Sequence, residues 1–161
     1  MTRKTTILIV DDDDDLRKLL RLALDNGKRV IHEADTALGG LQMARKLSPD
    51  ILLLDIGLPG SFDGFVLYQA MSREPALWHV RTVIISGHGA LEDLTQAERL
   101  GVDAYVVKPF SPAKLVELVE RLENLPREML VIDSDPAAAG TVGSAAVKAR
   151  PEPSALSKSS I

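Results

Sequence analysis

A chain of 161 residues, 45% hydrophobic and 26% charged, has the composition of one globular domain with an appended segment. It contains no cysteine, which excludes a disulfide framework, thiol catalysis and a zinc–thiolate site, and fits a reducing cytoplasm. The formal net charge is −4 without a basic stripe, which argues against direct nucleic-acid binding, and no apolar run approaches the length of a membrane span.

The chain opens with basic residues followed by the apolar run Ile7–Val10, too short for a signal-peptide core and closed at once by Asp11. That run reads as a first strand. Leu16, Leu19, Leu20, Ala23 and Leu24 then recur at helical spacing, and Asn26 with Gly27 supplies a stop. Residues 29–34 read as a weaker strand. Ala37, Leu41, Ala44 and Leu47 mark a second helix, closed by Ser48 and Pro49.

Ile51–Leu54 is a third strand and ends at Asp55. A loop from Leu58 to Gly64 leads into a helix over 65–73. Thr82–Ile85 is a fourth strand, ending at Ser86 and Gly87. A helix from Ala90 to Leu100 stops at Gly101, a residue suited to the left-handed position after a helix. Ala104–Val107 is a fifth strand, ending at Lys108 and Pro109. The last helix opens with Ser111 as N-cap and Pro112 at its first position, and Leu115, Leu118, Val119 and Leu122 form one apolar face.

Five strands thus alternate with five helices. Strands that are apolar throughout imply a sheet covered on both faces, hence a parallel one, and right-handed crossovers make it a doubly wound α/β fold. Beyond Leu125 the composition turns to Ala, Ser, Pro and Gly, and 126–161 reads as a flexible tail or linker after a domain over 1–125. Within it, residues 129–136 echo residues 7–13, as a remnant of a second such domain or by coincidence.

In an open parallel sheet, ligands bind beyond the carboxyl ends of the strands. Here those ends carry Asp11 and Asp12, Asp55, Ser86 and Lys108, each directly after an apolar run. Clustered carboxylates repel one another, so one holds a proton or a cation lies among them. An all-oxygen donor set favours a hard cation, and Mg2+ suits a site that also handles phosphate. The lysine and the hydroxyl complete a pocket for a tetrahedral anion, and a carboxylate in such a pocket can act as a nucleophile toward phosphorus.

The segments 8–12 (LIVDD), 53–60 (LLDIGLPG), 85–87 (ISG) and 105–110 (YVVKPF), in this order and spacing, resemble the receiver domains of response regulators over about Thr5 to Leu125. The resemblance implies the CheY-like, flavodoxin-like fold with strand order 2-1-3-4-5. It implies Asp55 as phosphoacceptor, Asp12 as a direct Mg2+ ligand, Asp11 as a ligand acting largely through water, and the Gly57 backbone carbonyl as a further ligand. Ser86 matches the hydroxyl that turns toward the phosphoryl group, Lys108 the lysine that pairs with a phosphoryl oxygen, and Tyr105 the aromatic switch. The Lys108–Pro109 bond is cis in similar domains. Implied partners are a histidine kinase or histidine phosphotransfer protein, and a downstream protein or output domain at the face formed by helix 4, strand 5 and helix 5. That face also serves homodimers in similar receivers.

Two features depart from the family pattern. The loop 59–64 is one residue longer than the common form. Gly57 offers no side chain and His88 lies two residues past Ser86, both at positions that influence phosphoryl lifetime in similar proteins. Asp13, Asp14 and Asp15 read as a solvated acidic helix start. His32, His79, His88 and Trp78 read as surface or packing residues, and no pair of histidines has metal-ligand spacing.

Two other readings compete. A phosphohydrolase resembling the haloacid dehalogenases would use Asp11 as nucleophile and Asp13 as second acid, but this leaves Asp55 unexplained and the chain short of a cap domain. A binding module that keeps only the fold leaves the set of acids, hydroxyl and lysine unexplained.

Overall fold

The computed structural model describes residues 2–87 and 89–124, together with the backbone of 130–132. The elements in chain order are β1 (Thr5–Val10), α1 (Asp14–Leu24), β2 (Arg29–Ala34), α2 (Ala37–Leu47), β3 (Ile51–Asp55) and α3 (Gly64–Ser72). A 3-10 turn (Pro75–Leu77), β4 (Arg81–Ser86), α4 (Leu91–Leu100), β5 (Ala104–Val107), α5 (Pro112–Asn124) and β6 (Leu130–Ile132) follow.

The five expected strands are present and parallel in the order β2-β1-β3-β4-β5. A sixth extends the sheet: β6 pairs in parallel with the outer edge of β5, Tyr105 opposite Val131. These three residues lie in the stretch expected to be a tail; a short apolar run can satisfy its backbone on an open sheet edge without a helix of its own. The rest of 126–161, and His88, lie outside the described residues.

The doubly covered sheet follows from side-chain alternation along each strand. Ile7, Ile9, Ile51, Leu53, Val83, Ile85, Ala104 and Val106 point to one face and pack on Leu20 and Leu24 of α1 and Leu115, Leu118, Val119 and Leu122 of α5. Leu8, Val10, Leu52, Leu54, Ile84 and Tyr105 point to the other, under α2, α3 and α4. Both layers are buried, so β1, β3 and β4 each carry an unbroken apolar run, Ile7–Val10, Ile51–Leu54 and Val83–Ile85. Among the described residues, no helix is long and apolar enough to cross a membrane.

Side chains finish the helix ends. Asp13 caps α1 by accepting from Leu16 N at 3.1 Å, Thr36 caps α2 from Gly39 N at 3.0 Å, and Asp63 caps α3 from Val66 N at 3.0 Å. Gly101 ends α4 with φ +76°, as its sequence position implied. One ion pair joins distant parts of the sheet's flank. Arg29, its side chain 2% exposed, donates to Glu123 of α5 through Nε (2.9 Å) and Nη2 (2.8 Å), and to the Leu24 carbonyl through Nη1 (3.1 Å).

Candidate functional site

The strand register brings the predicted polar residues together at the carboxyl edge of the sheet. β1 lies beside β3, with Val10 opposite Leu54, so the next residues on the two strands, Asp11 and Asp55, emerge side by side. β4 and β5 follow in the same register, with Ser86 opposite Val107 and Lys108 the next residue on. Carboxylate oxygens of Asp11, Asp12 and Asp55 lie within 4.8 Å of one another. Asp11 and Asp55 are buried, while Asp12 is exposed at the cleft mouth.

Lys108 enters the cluster from β5. Its Nζ stands 3.1 Å from Asp11 Oδ2 and 3.4 Å from Asp55 Oδ2. Its backbone N–H donates to the Ser86 carbonyl at 2.7 Å, and the Lys108–Pro109 bond is cis. Asp55 is steadied from its other side, where Oδ1 accepts from Gly57 N at 2.7 Å. A β-carbon on Gly57 would lie 3.2 Å from that same oxygen, so the glycine leaves the carboxylate room. Gly64 is more tightly constrained: a β-carbon there would stand 2.3 Å from the Asp55 carbonyl oxygen and 2.7 Å from Ile56 Cα. The first residue of α3 therefore sits directly on the backbone that carries Asp55.

The electrostatics follow from this crowding. Burial pushes the Asp11 carboxyl above its ordinary value; the Asp13 N–H on Oδ1 (2.8 Å) opposes that, the Asp55 charge adds to it, and Lys108 opposes it. For Lys108, burial favours the neutral amine, but the charges and hydrogen bonds of Asp11 and Asp55 outweigh it and raise its pKa. Burial likewise pushes the Tyr105 phenol up, against a hydrogen bond with Ser86. Tyr105 and Ser86 are each 1% exposed, so the aromatic residue of β5 and the hydroxyl that ends β4 meet inside the molecule.

Three carboxylates with one ammonium leave an excess of negative charge in a partly buried cleft. An oxygen-only donor set without imidazole or thiolate suits a hard divalent cation such as Mg2+. Asp13 is the acid that does not join: its carboxylate caps α1 instead. Arg17 was not foreseen. Its Nη2 donates to Asp14 Oδ1 at 2.8 Å in a local i, i+3 pairing, while its Nη1 donates to the Asp11 carbonyl at 2.7 Å, a contact legible only once the strand end is known. His79 contacts Ser48 and Trp78 donates to the Ser72 carbonyl at 2.8 Å, both away from the cleft.

Known proteins similar to this chain are numerous. The family model described as the response regulator receiver domain matches residues 7–120. Chemotaxis protein CheY-3 of Vibrio cholerae is 31% identical over 123 residues, 76% of this chain and 94% of that protein. Transcriptional regulatory protein ResD of Bacillus subtilis is also 31% identical, over 75% of this chain but only 49% of its own length. A CheY-like response regulator receiver domain protein from Methanospirillum hungatei superposes with a TM-score of 0.67 at 30% identity, covering 74% of this chain and 94% of that one. Identity at this level, across nearly the whole of a single-domain relative and on the same order of strands, makes the chain a member of the response regulator receiver domains of two-component signalling.

Proposed function

We propose that Asp55 accepts a phosphoryl group from the phosphohistidine of a histidine kinase or histidine phosphotransfer protein, and that the aspartyl phosphate switches a protein-binding face in the cytoplasm. The observation that carries this reading is the convergence of Asp11, Asp12 and Asp55 within 4.8 Å, with Lys108 Nζ 3.1 Å from Asp11 and 3.4 Å from Asp55. Asp11, Asp12, Asp55 and the Gly57 carbonyl would hold Mg2+. When bound, that ion supplies charge neutralisation for the acids and for the incoming phosphoryl oxygens.

In the transfer, an Asp55 carboxylate oxygen forms the new P–O bond as the P–N bond to the donor imidazole breaks, its electron pair returning to the imidazole. Gly57 N–H, on Oδ1, fixes the carboxylate so that its other oxygen, the one toward Lys108, is presented. Lys108 would pair with a phosphoryl oxygen, and Ser86 would donate its hydroxyl to another. Those contacts favour one of two pre-existing conformations. The hydrogen bond between Ser86 and Tyr105 offers a route from the cleft to the face of α4, β5 and α5, where a downstream protein, an output domain or a second copy would bind.

The phosphohydrolase reading is disfavoured, because Asp13 is engaged in capping α1. The test is incubation with acetyl phosphate and Mg2+, followed by intact mass and peptide mapping. One phosphoryl adduct on Asp55 is expected, absent with chelator and in Asp55→Asn. An adduct that persists in Asp55→Asn but disappears in Asp11→Asn would transfer the argument to the hydrolase.

A further inference from the structure

Asp11 is the first residue beyond the β1 ladder, so its polar groups cannot all be satisfied by the sheet. Its N–H bonds the Ala34 carbonyl at 3.2 Å, Oδ1 takes the Asp13 N–H at 2.8 Å, and Oδ2 faces Lys108 at 3.1 Å. Its carbonyl is engaged by one side chain, Arg17, at 2.7 Å. Arg17 is held in turn. Its side chain is 13% exposed, its second amino group is fixed by Asp14 at 2.8 Å, and its own N–H bonds the Asp13 carbonyl at 3.0 Å. The corner from Asp11 to Asp14 is therefore closed by one guanidinium fork, and exposed Asp12 lies inside that closed corner.

We propose that Arg17 is a positioning residue for the divalent-cation site: its fork fixes the β1–α1 corner so that Asp11 and Asp12 present their carboxylates toward Asp55. This rests on the cation site proposed above. The role belongs to geometry rather than to charge. Two donors in one rigid plane reach a carbonyl and a carboxylate together, which a lysine ammonium on a flexible stem does not reproduce. Groups that orient ligands without touching the metal typically change affinity by about 10- to 100-fold when removed.

The test is Mg2+ binding to the full chain by isothermal titration calorimetry at 10 °C, with thermal unfolding in chelator measured alongside. Arg17→Gln and Arg17→Lys are both expected to weaken Mg2+ by about tenfold or more. Asp14→Ala frees the outer arm of the fork and also releases exposed Lys18, whose Nζ stands 2.6 Å from Asp14 Oδ2, and is expected to weaken binding by roughly two- to threefold. The outcomes separate the two layers of argument. A wild-type protein that binds no Mg2+ overturns the cation site itself. Wild-type binding with unchanged affinity in folded Arg17 variants overturns the positioning role and leaves Arg17 as a helix-end brace. Affinity kept by Arg17→Lys but lost by Arg17→Gln overturns the geometric argument in favour of charge. If neither Arg17 variant folds, Asp14→Ala decides: weakened binding supports the fork, and unchanged binding overturns it.

Discussion

Lys108, at the end of β5, holds its Nζ 3.1 Å from Asp11 Oδ2 at the end of β1, spanning β3 and β4 between them. The same ammonium reaches Asp55 at 3.4 Å. It is therefore the counter-charge for carboxylates that a divalent cation would also neutralise, and the two cations compete electrostatically. Lys108→Met is expected to lower the melting temperature in chelator, because the acids then repel without compensation. It is also expected to tighten Mg2+ binding by up to about tenfold, roughly 1.4 kcal/mol, and added Mg2+ should restore the lost stability. Calorimetric titration and thermal melts check both. Weaker Mg2+ binding in Lys108→Met would mean the lysine organises the acids instead of competing for them.

Asp11 shows the opposite side of the same compromise. Its pKa is raised mainly by burial, with the Asp55 charge adding to it, so the fold disfavours its ionised form. The penalty is full above the folded-state pKa and is relieved as pH falls through it. Asp11→Asn keeps an acceptor for the Asp13 N–H and removes the charge. In chelator at pH 7 the variant should be more stable by about 1 kcal/mol, about 4 °C in melting temperature, with Mg2+ binding weakened. The gain should shrink as pH falls toward the range where Asp11 itself takes a proton. A variant less stable than wild type at pH 7 would show that Lys108 more than offsets the burial of this carboxylate.

The sheet was legible because its central strands are buried on both faces and so read as unbroken apolar runs. The cleft was legible because Asp11, Asp55, Ser86 and Lys108 each terminate such a run, and a parallel sheet brings strand ends to one edge. What escaped the sequence depends on separations that no local pattern encodes. Arg29 looked like the start of a weak strand, but its partner Glu123 lies 94 positions away. Asp103, buried and accepting from Thr82 N at 2.8 Å, has its partner 21 positions earlier, on the neighbouring strand. The apolar run at 130–132 was visible as an echo of β1, but its place beside β5 follows only from the open edge that β5 leaves. Gly64 looked like loop punctuation, and its necessity appears only when α3 is docked on the Asp55 backbone.

That docking yields a sharp expectation. A β-carbon at Gly64 would stand 2.3 Å from the Asp55 carbonyl oxygen and 3.0 Å from the Asp55 carbonyl carbon, contacts with backbone that no rotamer change relieves. Gly64→Ala must lift the start of α3 or shift the end of β3. Either movement should cost about 2–3 kcal/mol in urea unfolding, within the range for overpacked sites. It should also slow acetyl-phosphate labelling of Asp55 in the protein that remains folded. Gly60→Ala is the contrast: a β-carbon there meets nothing within 4 Å, but φ is +96°, so only the backbone penalty of about 1 kcal/mol or somewhat more applies. Equal destabilisation by the two substitutions would remove the steric argument for Gly64.

The Arg29–Glu123 pair gives a pH dependence remote from the cleft. The Arg29 guanidinium, bonded through Nε and Nη2, holds the Glu123 carboxyl below its ordinary value. A depressed folded-state pKa contributes stability that is fully present above the unfolded value and disappears as pH falls through the folded one. Unfolding free energy should therefore decline as pH drops below about 4.5, the ordinary glutamate range. Glu123→Gln should lose about 3 kcal/mol at pH 7, because Arg29, with its side chain 2% exposed, keeps its charge without a counter-charge. The difference from wild type should narrow as the pH falls below that range. The double variant Arg29→Met with Glu123→Leu should recover most of the loss, since apolar groups of similar volume need no neutralisation. Urea titrations of the wild type and the two variants at pH 7 and at a pH well below 4.5 separate the contributions. A Glu123→Gln deficit that stays constant across that interval would show that the carboxylate's charge contributes nothing and that the pair acts through packing alone.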